Sequence, residues 1–129
     1  MTQNIALTTD PLFPGQIISP MYNDMNGAVV CFIGTVRQFS NIGHKVTELQ
    51  ITPLQDAVEK LRDIAVEITG KWPVKIEDIY IHRRYGRLKV GEIALVAAVG
   101  SVHRQEAFAS CEYIVDRIKQ GGITAEQDI

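Results

Sequence analysis

Two uninterrupted apolar runs, at residues 28–33 and 93–99, most constrain how this 129-residue chain can fold. Both runs are far shorter than the roughly 20 apolar residues that a membrane span requires. The first does not alternate polar with apolar side chains, so it predicts a strand buried on both faces, and the second predicts another strand. A chain of this length can bury about two thirds of its surface. We therefore expect one domain, residues 1–129, that needs no disulfide or metal to support its core.

Two amphipathic helices are predicted from the spacing of apolar residues. The first begins at Thr52, because the sequence TPLQ forms a capping box there with proline at the first helical position, and it ends at Gly70. The second begins near Ser101, carries an apolar stripe that includes Phe108, and ends at the glycine pair 121–122.

The remaining segments predict strands and loops. Further strands are expected over residues 46–51, 74–82 and 92–100, with a loop-rich segment over residues 10–27 and a turn over residues 86–91. The order is thus strand, strand, helix, strand, strand, helix, and the last two strands are expected to pair as a hairpin. This order indicates an α+β fold in which the helices pack on one side of a mostly antiparallel sheet.

Composition excludes several classes of protein. A net charge of -2 argues against a general nucleic-acid binder, so any anion site must be local. The N-terminus has neither the basic nor the apolar region of a signal peptide. Cys31 and Cys111 lie inside apolar patterns and are interpreted as buried free thiols. We therefore expect a soluble cytoplasmic protein without a membrane partner.

The segment at residues 101–104 (SVHR) is the most suggestive candidate for a binding site. His103 and Arg104 lie in the first turn of the predicted second helix, where free N–H groups and the helix dipole disfavour cations and favour anions. Two basic side chains in that place suggest that an anion, naturally a phosphate, binds between them. The alternative is that Arg104 is solvated or ion-paired and that His103 merely packs.

Other basic positions each allow two interpretations. Arg37 ends the first apolar strand beside a loop that contains Gly and Asn, which is typical of an anion clamp and equally of a surface ion pair. Lys119 ends the second helix, where a cation complements the dipole without any other function. The basic run at residues 82–89 suits an acidic partner or a phosphate, although a solvated hairpin tip is favoured. The histidines are scattered, so no metal site and no cofactor are expected.

Helix geometry separates two of these candidates. Arg104 and Lys119 are fifteen residues apart, which on a straight helix is about 22 Å. They cannot line one small pocket of a single chain. If both are functional, there are two sites, or a second subunit brings its His103 and Arg104 to the first subunit's Lys119. A symmetric dimer with two equal composite pockets is the economical solution.

Four ordered motifs resemble the catalytic (large) subunit of molybdopterin synthase. They are residues 27–37 (GAVVCFIGTVR), 84–92 (RYGRLKVGE), 101–108 (SVHRQEAF) and 116–119 (DRIK). The resemblance extends over about residues 5–120, nearly the whole chain. It implies an α/β-hammerhead-type α+β fold and a central homodimer, in which each large subunit binds one small ubiquitin-like sulfur-carrier subunit to give a heterotetramer.

The same resemblance implies a reaction and the residues that carry it. Two sulfurs would move from the carrier's C-terminal glycine thiocarboxylate onto cyclic pyranopterin monophosphate, forming the dithiolene of molybdopterin. Lys119 would be the catalytic residue. The residues implied to bind the substrate, with its phosphate, are Thr35, Val36, Arg37, His103 and Arg104. In the family the His-Arg pair comes from the partner subunit, in agreement with the helix geometry.

The C-terminus departs from the family pattern. The family usually continues P-x-W-K-x-E after the catalytic lysine, whereas residues 120–129 (QGGITAEQDI) contain no second lysine. The alternative to the enzyme is therefore a catalytically impaired homologue that binds the carrier or a phosphorylated pterin without turnover. A third possibility is a generic, monomeric phosphate-binding domain whose motif matches are coincidental.

Overall fold

The computed structural model describes residues 2–72 and 76–129. Along these residues the elements, in chain order, are β1 (Thr2–Thr8), α1 (Pro14–Ile18), a short 3-10 helix (Ser19–Met21), β2 (Ala28–Thr35), β3 (Glu48–Pro53), α2 (Ala57–Thr69), β4 (Ile76–Arg84), β5 (Gly86–Lys89), β6 (Ile93–Ser101), α3 (Arg104–Lys119) and β7 (Thr124–Asp128). The α+β class predicted from the sequence is confirmed.

The larger sheet is built around β4 and β6, which pair antiparallel. β2 joins β6 antiparallel and β1 joins β4 parallel, so the strand order is β1-β4-β6-β2. The predicted pairing of the strands on either side of the basic run is therefore confirmed. The strand predicted over residues 74–82 begins outside the described residues, and its described part continues as β4 to Arg84.

β6, and not β2, is the strand that is buried on both faces. Every residue of β6 after Ile93 is buried, whereas Ile33 of β2 is 46% exposed. The prediction that residues 28–33 are buried on both faces is therefore wrong. The reason is position, because β2 is an edge strand with a neighbour on one side only. An apolar run indicates a strand but does not tell which strand becomes central.

The helices α2 and α3 pack on one face of the larger sheet, as predicted. Their buried residues form one apolar cluster with the strands, and its fully buried members include Leu61, Ile64, Ile114 and Val99. Burying an aliphatic side chain of this size contributes about 1.5–3 kcal/mol relative to leaving it exposed. This cluster is what fixes both helices against the sheet.

The segment predicted as loop-rich, residues 10–27, contains α1 and the 3-10 helix. Met21 is fully buried and packs with Tyr80 on the sheet face that α2 and α3 leave open. Asn26 donates its Nδ2–H to the buried carboxylate of Asp78 at 2.6 Å. These contacts attach the segment to β4 and cover part of the second face.

A smaller antiparallel sheet has the order β5-β3-β7. The predicted turn over residues 86–91 is wrong for its first part, which is β5, and the strand β7 is not predicted at all. The pattern of β7 explains this difference, since its sequence TAEQD has one half-buried residue followed by four exposed ones. A strand without an apolar face leaves no alternation to detect.

The predicted start of the first long helix is also wrong. Thr52 and Pro53 continue β3, where they pair with Ala125 and Thr124 of β7, and α2 begins only at Ala57. Pairing with β7 therefore outweighs the local capping signal of TPLQ, because a strand satisfies more backbone groups than one cap does. The predicted end at Gly70 is confirmed.

The second long helix begins three residues later than predicted. Ser101 is the buried last residue of β6, and α3 starts at Arg104 with His103 as its N-cap. Phe108 is 62% exposed, so its place in the apolar stripe is wrong, since it lies about 100° around the helix from the buried Ala107. The glycine pair 121–122 follows the helix with positive φ angles, as its predicted end requires.

The basic run at residues 82–89 does not form a solvated tip. Arg83 pairs with Glu126 at 2.6 Å, and Leu88 in the same run is fully buried. Two further arginines of the run, Arg84 and Arg87, pair with carboxylates of other segments. The run passes from β4 into β5 and so joins the two sheets, and these three arginines each meet a carboxylate, although Arg87 and Lys89 remain exposed.

The cysteines are free, as predicted. Cys111 is buried and Cys31 half-buried. Burial raises the pKa of the Cys111 thiol to about 11, which keeps it protonated and unreactive at neutral pH. Among the helices of the described residues, none has the length and apolar character that crossing a membrane requires.

Replacing Gly27 by Ala is expected to destabilise the protein by about 1–3 kcal/mol, because the new Cβ would overpack a closed contact. It would lie 2.3 Å from the carbonyl oxygen of Val102. Urea denaturation measures the change. Gly15→Ala is the matched control, since no atom outside its own short helix lies within 4 Å of its Cβ position. Equal free energies of unfolding for the two variants would contradict this packing argument.

The half-buried His82 predicts a pH dependence of stability. Its Nε2 lies 2.9 Å from Oδ1 of Asn4, and burial lowers the pKa of the imidazole below 6.5. The unfolded chain therefore takes up a proton first as the pH falls, so the stabilisation present above about pH 6.5 is progressively lost below it. His82→Gln cannot titrate, and urea unfolding at pH values of about 7.5 and 5.5 should show a smaller loss for this variant. An identical loss in both proteins would refute the role of His82.

Candidate active site

A cavity of about 800 Å³ lies where the end of β2 meets the C-terminal end of α3 and the strand β7. This volume is within the range of small-molecule sites, roughly 300–1,000 Å³. Its walls come from β2 with the loop that follows it, β3, the ends of β4 and α3, the start of β6, and β7. Elements of both sheets therefore have to be in place before the cavity exists.

The end of β2 brings three of the predicted substrate-binding residues to the cavity. The register of β2 against β6 shifts between Gly34 and Thr35, and the chain then turns so that Thr35, Val36 and Arg37 line the wall. The buried Val36 donates its N–H to the carbonyl of Glu92 at 3.0 Å, which fixes this turn. The bulge at the strand end is thus what directs these residues inward.

Arg37 and Lys119 face the same cavity from different elements. Lys119 is the exposed last residue of α3, and Arg37 is an exposed residue of the loop after β2. The guanidinium of Arg37 donates to Oδ1 of Asn41, so the loop itself orients it. Two cations around one concave surface favour a bound anion locally, in a chain whose net charge is -2.

His103 and Arg104 lie outside this cavity. They are exposed residues at the opposite end of α3, which runs without interruption over 16 residues, so about 22 Å separates Arg104 from Lys119. The His103 side chain makes no capping hydrogen bond. The structure therefore brings Thr35, Val36, Arg37 and Lys119 together and leaves the His-Arg pair apart, as the helix geometry predicts.

Arg83 and Glu126 also line the cavity, and sequence reasoning assigns neither of them to it. The side chain of Arg83 is only 5% exposed, and that of Glu126 is 44% exposed. The signal for Arg83 is a cation near the end of a strand, β4, whose residues are largely buried. Glu126 gives no such signal, because it lies in a strand that has no apolar face.

The wall of the cavity carries charged side chains of both signs. Among the described residues, no group of three or more His, Cys, Asp or Glu side chains could hold a metal ion. Arg37, Arg83 and Lys119 supply positive charge, while Glu126 and Asp128 are the carboxylates of the wall. Guanidinium groups bind carboxylates and phosphates through paired hydrogen bonds, and an amine beside an acyl group can stabilise charge or move a proton.

Comparison with known proteins agrees with the motifs. A family model described as MoaE protein matches residues 7–121. A molybdopterin synthase catalytic subunit from a Nostoc species is 37% identical over 117 residues, which is 90% of this chain and 70% of that protein.

Solved structures share the fold. The X-ray crystal structure of molybdopterin synthase from Staphylococcus aureus matches with a TM-score of 0.86 and 32% identity, over 97% of this chain and 90% of that chain. A chain from the complex of subunits 1 and 2 of molybdopterin-converting factor from Helicobacter pylori matches with a TM-score of 0.72 and 14% identity, over 98% of this chain and 83% of that chain, which shows a common fold. The resemblance drawn from the four motifs is confirmed, and the chain belongs to the MoaE family of molybdopterin synthase catalytic subunits.

Proposed function

We propose that this protein is the catalytic subunit of a molybdopterin synthase, a sulfurtransferase of molybdenum cofactor biosynthesis. It transfers sulfur from the C-terminal thiocarboxylate of a small carrier subunit to cyclic pyranopterin monophosphate and so forms the dithiolene of molybdopterin. One observation carries this proposal beyond family membership: Lys119 and Arg37 line the same cavity of about 800 Å³. The carrier's tail and the pterin both bring negative charge, which these two cations match.

Lys119 has the position that the acyl-transfer chemistry requires. As the last residue of α3 it projects from a rigid element into the cavity wall, where the carrier's C-terminus would enter. An ammonium group beside a thiocarboxylate stabilises the charge that develops on the acyl oxygen, or gives and takes a proton when sulfur leaves. Arg37, held by Asn41, offers a planar fork to the substrate's phosphate, and Thr35 and Val36 shape the wall next to it.

A second copy of the chain completes the site. His103 and Arg104 are too far from Lys119 to touch the same substrate within one protomer, since α3 separates them by about 22 Å. In a symmetric homodimer, the His-Arg pair of each protomer reaches the cavity of its partner, and two equal composite sites result. One carrier per protomer then gives a heterotetramer. The Helicobacter pylori neighbour is itself a complex of subunits 1 and 2, and we propose the same kind of partner here.

The cellular compartment of the reaction is inferred from the two free cysteines. Cys31 and Cys111 are free thiols, which suits a reducing compartment, so we place the enzyme in the cytoplasm. The impaired alternative rests on the absence of a second lysine from residues 120–129. The joint position of Lys119 and Arg37 does not depend on such a lysine and favours the active enzyme. One assay distinguishes the two functions.

Lys119→Ala is expected to lower product formation by about 100-fold or more, because it removes the group beside the acyl carbon. The assay combines the purified protein, thiocarboxylated small subunit and pyranopterin precursor, and measures dithiolene product. Lys89→Ala is the matched control, since Lys89 is an exposed lysine of β5 that does not line the cavity. If the carrier binds but no product forms with the unaltered protein, the impaired homologue is the correct function.

Mixing two inactive variants tests the composite site. His103→Ala and Lys119→Ala each remove one half of every site in their own homodimers. After subunit exchange at equal amounts, heterodimers carry one intact site, so about a quarter of all sites should be active. Recovery of activity in the dithiolene assay after exchange is the expected result. Two variants that stay inactive, although native mass spectrometry with one variant isotope-labelled shows that heterodimers have formed, would rule out sharing across the dimer.

A further inference from the structure

Arg83 is bonded incompletely inside the cavity wall. Its guanidinium donates to the carbonyl of Ala94 at 3.3 Å, to Oγ1 of Thr124 at 3.2 Å and to Oε1 of Glu126 at 2.6 Å. Its Nε is buried and has no hydrogen-bond partner. The side chain is 5% exposed, so water does not readily take the place of that partner. A buried cation that lines a cavity and has an unused donor can receive another acceptor once its present carboxylate partner moves away.

Glu126 contacts Arg83 through one oxygen only, which is weaker than the two-bond contact that a guanidinium can make with a carboxylate. Only one oxygen of Glu126 meets Arg83, through one terminal nitrogen. Guanidinium groups bind carboxylates and phosphates best through two parallel N–H···O bonds, which use adjacent nitrogens of the fork. An anion that accepts from both Nε and the terminal nitrogen would satisfy the donor that Glu126 leaves unused.

The side chain of Glu126 can move away from Arg83 without a change in the backbone. Its side chain is 44% exposed, and it lies on β7, an edge strand of the smaller sheet. Rotation of the side chain into solvent breaks the ion pair without breaking the β3–β7 ladder. Arg83, in contrast, is anchored on β4 and stays at the cavity when the carboxylate leaves.

We propose that Arg83 is an anion-binding residue of the cavity and that Glu126 is its replaceable counter-ion. An incoming carboxylate or phosphate takes the place of Glu126 and accepts hydrogen bonds from Nε and the adjacent terminal nitrogen. This inference rests on the proposed function, because the two sources of such an anion are the carrier's C-terminus and the phosphate of the pterin.

Calorimetric titration of the full chain tests this exchange. Two probes separate the sources: inorganic phosphate, and a peptide that ends in Gly-Gly with a free carboxylate. Glu126→Gln keeps the length and an acceptor oxygen but removes the competing charge, so the affinity for at least one probe should rise about tenfold. The probe that gains identifies the source of the anion. No gain for either probe would overturn the proposal.

Asp128→Asn is the matched control. Asp128 lines the same cavity, so this variant removes the same charge without touching the ion pair of Arg83. Its affinity for either probe should change less than about threefold. An increase as large as that of Glu126→Gln would mean that the overall charge of the cavity acts on the anion, and the specific exchange on Arg83 would then be rejected.

Two further readouts locate the effect at Arg83. Adding Arg83→Lys to Glu126→Gln keeps the charge but removes the planar fork, so the gained affinity should be lost. Because this variant can be unstable, the NMR signal of the Arg83 Nε–H in the Glu126→Gln protein provides a second test, and it should shift as the probe binds. An unchanged signal at saturation would contradict the proposal. Neither measurement uses the carrier or the pterin, so a failure here leaves the Lys119-dependent sulfur transfer as a separate question.

Discussion

The antiparallel pairing of β4 with β6 is the constraint on which the rest of the structure depends. β6 is buried after its first residue, so its backbone groups must find their partners within the sheet. The position of β6 between β4 and β2 also sets where the two groups of candidate site residues lie. β2 leaves the sheet at Thr35, opposite Ile93, and β6 ends at Ser101, just before His103. The cavity and the His-Arg pair therefore lie at opposite ends of the sheet, and α3 connects them.

The two sheets, and not the composition of the chain, determine which charged side chains become partners. Arg84 and Arg87 lie in the run that joins the two sheets and meet carboxylates near the surface, where such pairs contribute about 0–1 kcal/mol. Arg83 differs because it is buried, and a buried charge must keep a partner. That requirement ties β4 to β7 through Glu126 and gives the acidic C-terminal segment a part in the cavity wall.

Features that depend on neighbours in sequence could be predicted well. Three features could be identified from the sequence: the family motifs, the α+β class, and the helix ends at Gly70 and at residues 121–122. They could be identified because glycine conformation and helical periodicity are local properties. The separation of Arg104 from Lys119 followed from helical rise alone. The capping signal at Thr52 predicted the wrong helix start. The distant strand β7 forms more hydrogen bonds with this segment than the cap would, and a local pattern does not show that partner.

The sequence by itself determined which elements could form, which residues carried charge, and that one protomer could not join Lys119 to Arg104. Only the tertiary structure decided that β2 is an edge strand, that β7 closes the smaller sheet, and that Arg83 meets Glu126 across 43 residues of chain. The physical reason is that strand pairing and the burial of a charge are settled between segments far apart in sequence. A local pattern indicates which element a segment can form, and the packing of the whole chain determines which segment it pairs with.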